Sequence, residues 1–118
     1  MITRHLIKDR EITEFVMEGP TTVAEMVDII KSQYPTVTKL LLWNLSAGDV
    51  SSFTEDDMWR IAGAAKIHSV HEKTAFLGES PFVFGMLQMY TSHSEMAGVP
   101  LKMEVFRDRD EAIEWLED

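Results

Sequence analysis

Lys39-Leu40-Leu41-Leu42-Trp43-Asn44-Leu45 is the stretch on which the fold turns. Its four consecutive apolar residues, Leu40 to Trp43, are too few for a typical helix. Polar positions bound them, as expected of a strand covered on both faces. The segment is therefore the expected central strand. Beyond it, Ser46 to Phe53 reads as a polar loop that leads into Thr54-Glu55-Asp56-Asp57-Met58, a helix-start signature. The carboxyl end of a buried strand thus opens onto the amino end of a helix, the edge at which open α/β sheets receive ligands and partners.

Working outward, Ile2 to Ile7 and Glu11 to Met17 are β-prone runs separated by Lys8-Asp9-Arg10, which predicts an antiparallel hairpin broken at Gly19-Pro20. Thr22-Val23-Ala24-Glu25 has capping-box spacing, with Thr22 as N-cap and Glu25 reaching back. The helix it opens carries Val23, Met26, Val27, Ile30 and Tyr34 on one stripe and stops at Pro35. A second helix starts at Thr54, with Asp57 at its third position and Phe53 and Met58 at staple spacing. Lys73 to Leu77 reads as a strand. Ser80-Pro81 opens a third helix from Phe82 to about Ala97, closed by Gly98. Leu101, Met103 and Val105 alternate as in a half-covered strand, and Asp108 caps a last helix that turns Ala112, Ile113, Trp115 and Leu116 inward. The order β-β-α-β-α-β-α-β-α predicts an α/β fold, mostly parallel after the hairpin, in one domain over residues 1–118.

Composition narrows the function. Eleven Lys and Arg against twenty Asp and Glu give a net charge of −9, which repels phosphate backbones and anionic headgroups and argues against nucleic acid. The absence of cysteine excludes disulfides and thiolate chemistry. No apolar run reaches the length of a membrane span, and the first residues lack the apolar core of a signal peptide, so a cytoplasmic protein is expected. No base and nucleophile are paired and no Gly-rich phosphate cradle is present, which leaves a non-catalytic role without cofactor. His68 and His71 lack a third metal ligand and read as a solvated connector, while His5 and His93 read as solvated or satisfied side chains.

Three strings carry a family resemblance: Lys73-Thr74-Ala75-Phe76-Leu77-Gly78, Phe84-Gly85-Met86-Leu87-Gln88-Met89-Tyr90, and Glu104 to Leu116 with Phe106, Asp108, Glu111, Ala112 and Trp115. Together they resemble the stand-alone SpoIIAA-like branch of the STAS family. The resemblance implies a four- or five-stranded mostly parallel mixed sheet with an N-terminal antiparallel hairpin and four helices, related in shape to the CRAL-TRIO lipid-binding fold. It also implies a regulatory module like the anti-sigma-factor antagonists, whose partner is a kinase that doubles as an anti-sigma factor. In that family a phosphorylated Ser at the start of the second helix breaks the complex, within a D-S-[ST]-G-L motif. Here the matching region reads Ser51-Ser52-Phe53-Thr54-Glu55, without the Asp or the Gly. Ser51, Ser52 and Thr54 are thus positional phosphoacceptor candidates, and Ser46, Asp49, Phe53 and Glu55 the expected docking loop. A phosphate of about −2 charge at this helix start meets Glu55, Asp56 and Asp57, so Thr54 reads first as a cap.

The third helix carries more apolar surface than one sheet contact needs. Trp43, Trp59, Phe82, Phe84, Met86, Met89 and Tyr90 therefore either belong to the core or a homodimer face, or form an apolar pocket for a small molecule or lipid.

Overall fold

The computed structural model describes all of residues 1–118. Strands β1 (Ile2–Ile7), β2 (Ile12–Pro20), β3 (Leu40–Asp49), β4 (Lys73–Leu77) and β5 (Lys102–Phe106) form one sheet in chain order. The first pair is antiparallel and the other three are parallel, with β3 in the middle. Helices α1 (Val23–Gln33), α2 (Glu55–His68), α3 (Pro81–Ala97) and α4 (Arg109–Glu117) fill the connections and the end of the chain.

Helix starts follow the sequence chemistry closely. Thr22 Oγ1 accepts from Glu25 N, and Ser80 Oγ accepts from Val83 N just ahead of Pro81. Thr54 and Asp57 form a reciprocal capping box, Thr54 Oγ1 accepting from Asp57 N at 3.2 Å and Asp57 Oδ2 from Thr54 N at 3.0 Å. At α1 the expected reciprocity is missing, because Glu25 lies 4.0 Å from the N-terminal ammonium of Met1 instead. Pro35 ends α1 as expected, and the chain continues into a short 3-10 turn, Tyr34–Thr36.

Two strands run longer than their sequence predicts. β2 continues past Met17 to Pro20, and β3 past Leu45 to Asp49, so that Glu18, Gly19 and Pro20 pair with Ala47, Gly48 and Asp49. A register shift between Val16 and Glu18, with the extra residue on β3 between Asn44 and Ala47, precedes this paired stretch, and Gly19 takes φ +67 within it. Gly48 is required by contact, since a Cβ there would lie 2.6 Å from Met17 Sδ. Each strand supplies the other's partners, which overrides the weak β propensity of Gly, Asp and Pro. Ser46 and Asp49 are therefore strand residues, and the connecting loop shrinks to Val50–Thr54.

The core divides by sheet face. Phe15, Met17, Leu41, Trp43 and Leu45 meet α1, α2 and α3 on one side, with Phe15 stacked on Trp43 at 4.8 Å between ring centroids. On the other side Ile12, Leu42, Ala75 and Leu77 meet Ala112, Ile113 and Leu116 of α4. The alternation of β3 thus sends Leu41, Trp43 and Leu45 one way and Leu42 the other, as a doubly covered strand requires.

α4 is the sole helix on its face, and polar bonds anchor both of its ends. Lys73 Nζ donates to the carbonyls of Trp115 and Asp118 at 3.0 and 3.1 Å. Near the start of the helix, Arg109 meets the buried carboxylate of Glu14 on β2 through two bonds, at 2.7 and 3.2 Å, while Asn44 Nδ2 donates to the same carboxylate at 3.1 Å. Burial raises the Glu14 carboxyl, but the bonds from Arg109 and Asn44 outweigh it and hold the group below its ordinary value.

That balance fixes a pH signature. With a depressed folded-state pKa, the Glu14 contribution to stability is present above the unfolded carboxylate value of about 4.3 and disappears as pH falls through the lower folded value. Arg109→Ala leaves burial unopposed by the cation, and should lower stability at pH 7 by about 2 to 3 kcal/mol in urea unfolding. The loss falls below the roughly 3 to 5 kcal/mol of a fully buried broken pair because the Arg109 side chain is 43% exposed. In the variant the deficit should shrink as pH falls toward 4; an unchanged deficit would show that the pair does not act through charge.

Candidate functional site

β3 alternation, together with i and i+4 spacing in the helices, brings one set of apolar side chains to a single place. Trp43 and Leu45 of β3, Met17 of β2 and Phe76 of β4 form the floor. Met26 and Ile30 of α1, Met58 and Ile61 of α2, and Met86 and Tyr90 of α3 form the roof. Val50 and Phe53 close one end from the loop before α2. They enclose a cavity of about 50 Å³ whose fourteen lining residues are all hydrophobic. Trp43 Nε1 donates to Tyr34 Oη at 2.9 Å, so the polar atoms of these two rings satisfy each other.

Volume decides what this space holds. It exceeds the 10–15 Å³ or so that one water needs, yet falls short of the roughly 150 Å³ of an engineered cavity that admits benzene. As it stands the cavity is too small for an aromatic ring. Met17, Met26, Met58 and Met86 line it, and a thioether side chain with three rotatable bonds repacks at little cost. Phe53, Met86 and Tyr90 are half-buried, and through them the lining reaches the surface.

The rim beside Phe53 is polar. Ser46, Asp49, Ser51, Ser52, Thr54 and Glu55 are all exposed. Asp49 Oδ1 accepts from Ser51 N at 2.9 Å, and its hydrogen bonds with Ser51 hold the Asp49 carboxyl below its ordinary value. Thr54 is occupied as the cap of α2 and Ser51 is held against Asp49, whereas Ser52 is exposed beside them. Glu55 Oε1 lies 3.4 Å from His93 Nε2, and the His93 ring sits 4.4 Å from that of Trp59. His93 Nδ1 faces the Met89 carbonyl at 2.9 Å, which makes it the donor there.

The seven apolar residues expected to act together are divided by the fold. Trp43, Met86 and Tyr90 line the cavity. Trp59, Phe82 and Met89 face outward, 37%, 57% and 45% exposed, and Phe84 lies beneath the Arg107 guanidinium at 4.3 Å. The methionines of β2, α1 and α2 escaped the sequence reading of this site, although Met26 and Met58 stand on inward stripes that the periodicity shows.

His71 corrects the reading of a solvated connector. It is 6% exposed, lies edge-on to Tyr34 at 5.1 Å, and has Nε2 2.6 Å from Thr74 Oγ1. Desolvation pushes its pKa down to about 4, so it is neutral at pH 7. The segment after α2 drops back under the helix layer to begin β4 and takes the imidazole inside. No cluster of three or more His, Cys, Asp or Glu stands where it could hold a metal ion, and no helix is long and apolar enough to cross a membrane.

No protein-family model matches the sequence, and no curated protein matches it. Among solved structures, an uncharacterized protein of the DUF3478 family from Shewanella loihica PV-4, described as having a SpoIIAA-like fold, is similar in architecture. The match covers 98% of this chain and 92% of that one, with a TM-score of 0.58 at 16% identity. The hairpin, the parallel run from β2 to β5 and the four helices thus give this chain a SpoIIAA-like, STAS-type α/β fold.

Proposed function

We propose that the chain acts as a single non-catalytic domain that binds a small apolar molecule between its three-helix layer and β3. One observation carries this reading: the cavity against the central strand is lined entirely by hydrophobic side chains, four of them methionines. Chemistry on a substrate requires groups that exchange protons or electrons, and no carboxylate, amine, imidazole or thiol lines the space. Burial raises the one phenol on its surface side, Tyr90, to about 12, and raises the Tyr34 phenol as well, which leaves neither a base at pH 7.

A second reading has its own support at the rim. Phe53 belongs both to the exposed loop and to the cavity lining, so a ligand that displaces it alters the surface formed by Asp49, Ser51 and Ser52. On that reading the domain is a regulatory module whose partner is a protein, a kinase or anti-sigma-like factor by resemblance, and Ser51 or Ser52 is the modifiable position. Self-association through Trp59, Phe82 and Met89 is the remaining use of the exposed apolar side chains.

Ligand binding is tested with toluene on a Trp59→Phe, Trp115→Phe background, in which emission comes from the buried Trp43. Binding should change that emission and raise the melting temperature, the stabilisation reaching about 2.7 kcal/mol at one hundred times Kd. Met86→Ala should enlarge the space, lower stability by about 2 kcal/mol and tighten toluene binding. Unchanged emission and melting in both proteins, with no adduct in native mass spectra, would exclude the ligand reading.

For the rim, Thr54→Ala should cost about 1 kcal/mol in thermal unfolding while leaving capture of a protein partner intact. Ser51→Asp and Ser52→Asp should weaken capture without changing stability. Equal capture by all of these variants and by the unmodified chain removes the phosphoswitch.

A further inference from the structure

Behind the apolar cavity, at the amino ends of β4 and β5, lies a second and much smaller space of about 10 Å³. Tyr34, Phe76 and Tyr90 line both spaces, so the two adjoin along these three rings. The lining differs in kind, because Ser69, His71 and Thr74 also face the small space. His71 is 94% buried by its 6% exposure, its Nε2 is taken by Thr74 Oγ1, and its Nδ1 has no partner. Ser69 Oγ is likewise buried without a partner. An unpaired polar atom in the interior carries a penalty of about 1 to 3 kcal/mol, so two beside one small space mark a place where a hydrogen-bonding group belongs.

Size and charge then restrict that group. About 10 Å³ is the room of a single water-sized atom, which suits a hydroxyl or carbonyl oxygen and is too small for a carboxylate, phosphate or ammonium with its hydration. No Lys, Arg, Asp or Glu lines either space, so an ionised group would lie there without a counter-charge. Resting on the reading that the apolar cavity is a ligand site, we propose that the His71–Ser69 space receives the polar end of the ligand, an uncharged hydroxyl or carbonyl attached to an apolar body. His71 and Ser69 thereby set specificity, and the apolar cavity sets affinity.

Toluene, benzyl alcohol and benzoate share one body and differ at the end group, so they separate the two claims. Isothermal titration on the full chain should give benzyl alcohol about tenfold tighter binding than toluene, with benzoate weakest. In 15N spectra the His71 imidazole signals should move with benzyl alcohol and stay fixed with toluene. Ser69→Ala and His71→Leu should each reduce the alcohol preference while retaining toluene affinity. Should His71→Leu fail to fold, Ser69→Ala and the wild-type imidazole signals still read the contact. Equal affinity for toluene and benzyl alcohol, or strongest binding of benzoate, overturns the polar-end assignment and leaves the apolar site standing. Failure of all three compounds to bind overturns the apolar site and this assignment with it.

Discussion

The handedness of parallel crossovers is the constraint from which the rest of this structure follows. The five strands lie in the sheet in the order in which they occur in the chain, so each crossover steps to the neighbouring position in one direction. Crossovers of one hand that all step the same way place their helices on one face, which is where α1, α2 and α3 pack. α4 follows the last strand and needs no crossover, and it is left to cover the opposite face. The strand order never reverses, so the sheet has no switch point of the kind that opens a binding crevice in doubly wound folds. The interior space of this fold lies instead between the layers, where the apolar cavity is.

That location has an energetic meaning. At about 24 cal/mol per Å³, an empty volume of about 50 Å³ costs on the order of 1 kcal/mol, a sizeable part of a small domain's net stability. Close packing is achieved directly beside it, where Phe15 stacks between Tyr34 and Trp43 and Gly48 admits Met17 with no room to spare. The looseness is thus local to the methionine-lined part between α1, α2 and α3. Thioethers suit a wall that must both close on itself and yield, whereas branched aliphatic side chains hold one shape.

Much of the architecture was legible because caps and stops are local chemistry. Thr54 with Asp57, Ser80 with Pro81 and Asp108 before α4 each act within four residues, so their helices begin where the sequence says. The extensions of β2 and β3 were not legible, since Gly48 and Asp49 are strand residues only because Gly19 and Pro20 lie beside them, nearly thirty positions earlier. Glu14 gives the same lesson at longer range. Its place between Thr13 and Phe15 sets which face it takes, but nothing nearby in sequence announces Arg109, ninety-five residues on. The candidate site was legible in part: Trp43, Met86 and Tyr90 reach it, while Phe82 and Met89 on the same helix do not. Apolar residues around most of a helix circumference leave its inward side undefined, and α3 is fixed by α2 and the sheet. His71 was misread for a related reason, because a polar run between elements gives no sign that Thr74 will take its imidazole indoors.

Charge joins the surface to the interior. The chain carries −9 overall, and Asp49, Glu55, Asp56 and Asp57 stand around the loop whose Phe53 is one of the side chains through which the cavity lining reaches the surface. An anionic amphiphile meets repulsion at that rim and finds no cation within. A cationic one is attracted at the rim, yet it must shed its hydration in a space with no carboxylate, which costs far more than the rim returns. A neutral molecule escapes both conditions, and its apolar body gains from burial about 25 cal/mol for each Å² withdrawn from water. On the proposed ligand reading, the acidic rim and the uncharged cavity lining therefore favour the same class of molecule, a neutral one, by independent means.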